Sequence, residues 1–243
     1  MKVDILAIGV HPDDIELSCS GTLLRHIAQG QSVGLLDLTQ GELGTRGSAA
    51  IRLEEAAAAA SLMGAAFRKN LGMDDGFFAY NRENIIKIVE VIREHQPEII
   101  LANALSDRHP DHGRAAKLIA DACFYSGLVR IPTAGEDGAP HDRWRPRAIY
   151  HYIQDRNLKP DFVVDITPFI EKKIELVQAF RSQVFVPDAE EYEAEMSSPI
   201  SGKDFIDFLL AKGRAYGRDA GFEFAEGFNV ARTPGVNDLF SLI

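Results

Sequence analysis

The feature that most constrains this fold is a twice-repeated pattern, a short apolar run followed by a histidine- and aspartate-rich tetrapeptide. The first run, residues 3–10, ends at His11-Pro12-Asp13-Asp14. The second run, residues 98–103, is soon followed by His109-Pro110-Asp111-His112. Each pattern is typical of a buried parallel strand, a polar loop and then a helix. Two such corners in one sheet can bring their polar side chains together.

Helical and strand patterns alternate along the rest of the chain. Helices are predicted over residues 15–29, 48–63, 82–95, 114–126, 168–184 and 203–218, with N-caps at Ser48 and Asn81, and further strands over 32–39, 67–73, 147–154, 161–167 and 228–232. This alternation predicts a single domain, residues 1–243, with an α/β fold: a Rossmann-like, doubly wound, mostly parallel sheet with helices on both faces. Residues 186–202 are predicted as a mobile acidic segment that would act as a lid.

Charge and cysteine content narrow the classes of function. A net charge of -10 argues against binding to nucleic acid, which requires a basic face. The two cysteines, Cys19 and Cys123, are too few for a disulfide framework and indicate a reducing compartment. The first apolar run is too short for a signal peptide or a membrane span. We therefore expect a cytoplasmic protein with a small-molecule partner.

The two corners should meet at one edge of the sheet. In a sheet of order 3-2-1-4-5, strands 1 and 4 are neighbours, and a crevice opens at their carboxyl ends because the helices that follow them lie on opposite faces. His11, Asp14 and His112 would then supply two imidazoles and one carboxylate to a divalent ion. That set leaves coordination positions open, as in a catalytic zinc site, and Fe²⁺ is the alternative metal.

The neighbouring polar residues have natural roles beside such an ion. Asp13 would take a proton from water, His109 would hydrogen-bond or protonate the reacting group, and Asp111 would orient a histidine. Three arginines are candidates for holding a sugar or an anionic group: Arg46, Arg52 and Arg108. Either tetrapeptide alone would also serve as a simple helix cap, but two of them at adjacent strand ends favour a site.

At these residues the chain resembles the LmbE/PIG-L family of metal-dependent N-deacetylases. The resemblance covers nearly the whole chain and is carried by HPDDIEL at 11–17, GELGTRG at 41–47, Arg52 with Glu55-Ala56, DRHPDHG at 107–113, Trp144-Arg145-Pro146 and AEGF at 225–228. The paired HPDD and HPDH motifs are typical of the family. The GELGTRG and DRHPDHG stretches point to the bacillithiol-biosynthesis deacetylases within it.

The resemblance implies a zinc ion on the three ligand candidates, with Asp13 as general base and His109 as the acid or oxyanion stabiliser. It also implies that Arg52 contacts a sugar and that Arg108 lies near the carboxylates of a malyl group. The implied reaction removes acetate from an N-acetylglucosamine conjugate, N-acetylglucosaminyl-malate in bacillithiol biosynthesis. The resemblance further implies a homo-oligomer, a hexamer in similar proteins.

Three other functions stay open at this point. A deacetylase of another N-acetylglucosamine sugar, such as chitobiose, would share every ligand and differ in its pocket. An amidase of thiol S-conjugates would share the chemistry and differ in its leaving group. A non-catalytic sugar-binding module would lack a ligand or the base, whereas all the predicted ones are present.

Overall fold

The computed structural model describes residues 1–135, 137–187, 192 and 195–242. Seven strands and six helices of this part of the chain form the fold: β1 (Ile5–Gly9), α1 (Asp14–Ala28), β2 (Val33–Thr39), α2 (Ala49–Met63), β3 (Phe67–Met73), α3 (Arg82–His95), β4 (Ile99–Ala102), α4 (Pro110–Ser126), β5 (Ala148–Tyr152), β6 (Phe162–Asp165), α5 (Ile170–Gln178), α6 (Asp204–Ala220) and β7 (Ala225–Val230).

The strands form one sheet in the order β3-β2-β1-β4-β5-β7-β6. The first five strands pair in parallel, and β7 pairs antiparallel with both β5 and β6. The predicted α/β, Rossmann-like, mostly parallel fold is therefore confirmed, and β1 lies beside β4 as expected. Because parallel strands end at the same edge, the loops after β1 and β4 meet there.

The sheet is covered on both faces, which explains the continuous apolar run of β1. Leu6 and Ile8 pack into one cluster with residues of α3 and α4, whereas Ile5 and Ala7 pack into a second cluster with residues of α1. All four side chains are at most 2% exposed. Alternate side chains of a strand point to opposite faces, so a strand buried on both faces is apolar throughout.

The helix starts agree with the sequence prediction at two positions and differ from it at a third. Ser48 and Asn81 are N-caps whose side chains accept backbone amides, as predicted. The predicted start of the next helix at residue 114 was wrong, because α4 begins four residues earlier, at Pro110. Proline fits the first helical turn, and the imidazole of His109 accepts the amide of Asp111 in place of the usual Ser, Thr, Asp or Asn cap.

Two later elements also differ from their predicted bounds. The helix predicted over 168–184 begins with a short 3-10 turn and ends at Gln178; the apolar pattern continues because Phe180 packs against α2 from a non-helical turn. The strand predicted over 228–232 begins earlier, at Ala225. There Glu226 is buried because it accepts the amides of Gly21 and Thr22 on α1, a contact that local sequence does not reveal.

A buried charged cluster fastens α1 to the sheet. Arg68 of β3 donates two hydrogen bonds to Asp37 of β2, from Nε at 2.7 Å and from Nη2 at 2.8 Å. Its Nη1 donates to Glu16 of α1 at 2.6 Å. The side chains of Arg68, Asp37 and Glu16 are 7%, 1% and 0% exposed. The cluster therefore lies directly beneath the helix that begins at the first tetrapeptide.

Two further predictions from the sequence concern an acidic lid and membrane spans. The predicted acidic lid, residues 186–202, lies partly outside the described residues, at 188–191 and 193–194. Over the ranges that the structure does describe, none of the helices combines the length and the apolar character needed to cross a membrane.

Candidate metal-binding and catalytic site

The two tetrapeptides lie side by side and line one cavity of about 340 Å³ at the carboxyl ends of β1 and β4, where the ring centres of His11 and His109 are 4.7 Å apart. Seven of the predicted site residues line it: His11, Asp13, Asp14, Arg52, Arg108, His109 and His112. The other two predicted site residues, Asp111 and Arg46, do not belong to this lining in the described part of the chain. Strand order alone thus brings together residues almost 100 positions apart in the chain.

The carboxylate of Asp14, the first residue of α1, lies between the two predicted imidazole ligands. Its Oδ1 is 3.2 Å from Nε2 of His112, and its Oδ2 is 3.7 Å from Nδ1 of His11. All three residues are less than 9% exposed. Two nitrogens and one carboxylate therefore converge at the point predicted from the sequence.

Four donors fix the orientation of the Asp14 carboxylate. The amides of Val10 and His11 and the side-chain amide of Asn103 donate to Oδ2, and the side-chain amide of Gln154 donates to Oδ1, at 2.9–3.0 Å. Burial raises the pKa of Asp14, but His112, His11 and the hydrogen bonds lower it well below its usual range. Asn103 and Gln154 were missed by sequence reasoning, although each directly or closely follows a buried strand.

The outer nitrogen of each imidazole is held by a further carboxylate. Nδ1 of His112 is hydrogen-bonded to Asp107, and Nε2 of His11 lies 3.0 Å from Oδ1 of Asp75. Metal-binding histidines usually donate their other ring N–H to a carboxylate in this way, which fixes the tautomer and turns the remaining lone pair inward. Both acids were missed. Asp75 could have been found, since Asp74-Asp75 directly follows β3 at the same sheet edge.

The electrostatics of this cluster favour a positive charge. Burial lowers the pKa of His11, but hydrogen bonds to Asp111 and Asp75 raise it to about 10. Burial also lowers the pKa of His112, but Asp14 and Asp107 raise it to about 9. Carboxylates that hold protons on two buried imidazoles would equally stabilise a divalent cation. The donor set therefore fits a metal ion.

A different ligand set, His11, His109 and His112, is also compact, because their ring nitrogens lie within 4.8 Å of one another. The hydrogen bonds of His109 argue against it. Its Nδ1 accepts the amide of Asp111 at 3.3 Å, which places the proton of a neutral ring on Nε2 and leaves no lone pair there. Burial and the nearby His11 lower the pKa of His109, which favours this neutral form. Its ring is suited to donating a hydrogen bond.

Asp111 lies behind His11 rather than in the cavity. Its Oδ2 is 3.6 Å from Nε2 of His11 and accepts the amide of Gly76. His11, Asp75 and Asp111 form another compact grouping of potential ligand atoms. The outer nitrogen of His11 already pairs with Asp75, so these two carboxylates lie where they would orient the ring. The orienting role that the sequence predicts for Asp111 stays a prediction.

Asp13 is held in a strained conformation at the start of α1. Its φ is 126° and its ψ is -26°, a region that side chains rarely adopt. Nη2 of Arg52 donates to Oδ2 of Asp13 at 2.9 Å and to the carbonyl of Pro12. Burial raises the pKa of Asp13 to about 7, although the guanidinium of Arg52 lowers it. Gly41 permits this arrangement, since a Cβ there would lie 2.0 Å from Nη1 of Arg52.

The other two candidate arginines also have partners within the protein. Arg46 donates to the carbonyls of Ser182 and Tyr192, which ties the 41–47 loop to the segment after α5. Arg108 forms an ion pair with Asp155, Nε to Oδ2 2.6 Å, at the edge of the cavity. Their contacts with a substrate stay predictions.

Helix α6 forms part of the cavity wall. The sequence predicted this helix, over 203–218, but not its contribution to the site. Four of its residues line the cavity at helical spacing: Phe205, Phe208, Leu209 and Lys212. Apolar residues at positions i, i+3 and i+4 of a helix normally indicate a face packed on the core. Here part of that apolar face lines the cavity, so helical spacing alone does not reveal that α6 contributes to the site.

Comparisons with known proteins show what this chain is similar to. The family model described as PIG-L, GlcNAc-PI de-N-acetylase, matches residues 6–123, which include both tetrapeptides. Diacetylchitobiose deacetylase of Thermococcus kodakarensis is 30% identical over 96% of this chain and 84% of its own. The 4-oxalmesaconate hydratase of Pseudomonas putida is 26% identical over 73% of each chain. A conserved protein of Thermus thermophilus has a crystal structure that superposes with a TM-score of 0.84, at 34% identity and 98% coverage of both chains.

Proposed function

The chain belongs to the PIG-L family, and on that premise we propose that it is a metal-dependent hydrolase that removes the acetyl group from an N-acetylglucosamine-containing substrate. One observation carries the proposal: the fixed carboxylate of Asp14 lies between two imidazoles whose outer nitrogens are held by acids. A second carboxylate, that of Asp13, lines the same cavity, and the backbone of Asp13 is strained. Amide hydrolysis needs this pairing of a cation site with a base.

His11, Asp14 and His112 would hold the metal, which we propose to be Zn²⁺, with Fe²⁺ as the alternative. Such an ion lowers the pKa of water to about 7 and polarises a carbonyl oxygen. Asp107 and Asp75 would keep the two rings in the required tautomers, and Gln154 would keep the carboxylate from turning away.

Asp13 would accept a proton from the attacking water, because a pKa raised by burial to about 7 suits a general base at neutral pH and Arg52 stabilises its ionised form. His109 would donate its Nε2–H to the carbonyl oxygen, on which negative charge develops as water adds to the carbon. The C–N bond then breaks, and the leaving nitrogen takes up a proton. The products are acetate and a free amine.

Two substrates agree with the sequence and with the relatives. The sequence resemblance implies N-acetylglucosaminyl-malate, an intermediate of bacillithiol biosynthesis, and the name of the Thermococcus relative gives N,N'-diacetylchitobiose. Both present an N-acetylglucosamine to the same site and differ only in what lies beyond the sugar. The cytoplasmic location stays a prediction. So does the homo-oligomer, a hexamer in particular, which analytical ultracentrifugation would test.

A hydratase is the second candidate function, because the Pseudomonas relative is named as one. Hydration also needs an activated water, but it releases no acetate. The deciding experiment measures acetate released from both sugars by the purified protein, before and after treatment with a chelator and after Zn²⁺ is restored. We expect chelator-sensitive release that Zn²⁺ restores. Release that is unaffected by metal removal, or none from either sugar by zinc-loaded protein, would contradict the proposal.

A further inference from the structure

Beside the histidines, three arginine and lysine side chains line the cavity, and two of them already have carboxylate partners. Arg52 pairs with Asp13, and Arg108 pairs with Asp155. The third, Lys212 of α6, has no carboxylate within ion-pair distance among the residues that the structure describes. Its positive charge therefore has no direct ion-pair partner, and the carboxylates of Asp107, Asp155 and Glu226 act on it only at longer range.

The surroundings of Lys212 make a charge without a direct partner unfavourable. The side chain is half-buried, and its Nζ donates to the carbonyl of Ile153 at 3.2 Å and lies 5.8 Å from the centre of the Tyr216 ring. Two of its three N–H groups remain for other hydrogen-bond acceptors. Its neighbours on the cavity wall are Phe205, Phe208 and Leu209. Burial lowers the pKa of Lys212 to about 8. Removing an ammonium from water without a counter-charge is costly, so this position would be stabilised by a bound anion.

Lys212 is connected to the reacting end of the cavity. Ile153, which accepts its hydrogen bond, directly precedes Gln154, and Gln154 donates to the carboxylate of Asp14. A ligand with its amide at Asp14 would therefore meet the apolar wall of α6 and the ammonium group within one cavity of about 340 Å³.

We propose that Lys212 is a substrate-binding residue that selects N-acetylglucosamine derivatives carrying an oxyanion, a carboxylate or a phosphate, beyond the sugar. This inference rests on the proposed function and adds the residue that would decide between its charged and neutral substrates. An oxyanion accepts the two remaining N–H groups of Lys212 and compensates its charge. A neutral sugar such as chitobiose supplies no such counter-charge.

The test compares three substrates by acetate release: methyl N-acetylglucosaminide, which is neutral, N-acetylglucosaminyl-malate and N-acetylglucosamine 1-phosphate. We expect the zinc-loaded protein to prefer an anionic substrate by about 10- to 100-fold in kcat/KM, the range of one charge-assisted hydrogen bond. The Lys212→Met variant should lose this preference, because its KM for the two anionic substrates should rise far more than its KM for the neutral one. The two anionic substrates show whether the group is a carboxylate or a phosphate.

Two variants separate binding from structural effects. Lys212→Arg keeps the charge and should restore most of the preference. Lys203→Met removes an exposed lysine from the start of the same helix and should leave the preference for anionic substrates unchanged. Equal use of neutral and anionic substrates by the parent protein would overturn the inference and leave the proposed function standing. Equal losses on all three substrates in Lys212→Met would show a structural role instead. No acetate from any substrate would overturn the proposed function together with this subsite.

Discussion

Removing Arg68 should destabilise the protein far more than removing the lysine next to it. The Arg68→Met variant keeps most of the side-chain volume but leaves the carboxylates of Asp37 and Glu16 buried without a cationic partner. Breaking a buried ion pair from one side costs about 3–5 kcal/mol. At about 2–4 °C per kcal/mol for a chain of this size, the midpoint of thermal unfolding should fall by about 6–20 °C.

Lys69→Met is the matched control, since Lys69 is adjacent on β3 and pairs with Glu94 at 2.7 Å. That pair is 35% and 41% exposed, so its loss should cost no more than about 1 kcal/mol. Circular dichroism melts and urea titrations of both variants measure the difference. If the two variants lost the same stability, burial would not be what makes the Arg68 cluster important.

The deficit of Arg68→Met should also depend on pH. Burial raises the pKa of Glu16 and Arg68 lowers it, so the variant should raise that pKa further. When the pKa of a carboxyl is higher in the folded state than in the unfolded state, the protein loses stability as the pH rises from the unfolded-state pKa to the folded-state pKa. The deficit should therefore be larger at pH 8 and shrink as the pH falls toward the ordinary carboxyl value of about 4.3. A deficit that stays constant between pH 8 and pH 5 would refute the reasoning.

Three further predictions concern the site. Asp13→Asn should keep its metal by elemental analysis and lose about 10²- to 10⁴-fold in kcat, the usual contribution of a general base; retained activity with lost metal would contradict its role. His112→Ala should lose the metal itself, and full occupancy by elemental analysis would exclude it as a ligand. Asp107→Asn and Asp75→Asn should each weaken metal binding about 10- to 100-fold in a chelator competition, whereas Asp74→Asn, an exposed neighbour, should not; three equal values would contradict the orienting role.

Local sequence was sufficient for the elements that position the site. The apolar runs, their spacing and the caps at Ser48 and Asn81 are local signals, and the β1–β4 adjacency follows from the common order of parallel sheets. These alone bring His11 and His112 to one cavity. Their roles as ligands stay predictions.

The supporting residues could not be predicted because their contacts are long-range. Asp75 reaches His11 from 64 positions away, and Gln154 reaches Asp14 from 140. An aspartate or glutamine after a strand is usually solvated, and only the folded sheet shows which ones turn inward. The antiparallel placement of β7 between β5 and β6 likewise depends on pairing that no local pattern encodes.

The backbone of Asp13 has a consequence for engineering. A non-glycine residue at such a φ angle sacrifices about 1–3 kcal/mol, which glycine would recover. Glycine there would also remove the carboxylate that pairs with the buried guanidinium of Arg52, and breaking a buried ion pair from one side costs about 3–5 kcal/mol. A library of variants screened only for survival at high temperature should therefore retain Asp13, although its backbone is strained. The salt bridge that holds the proposed base in place also opposes its replacement, so a thermostable version of this protein must gain its stability elsewhere in the chain.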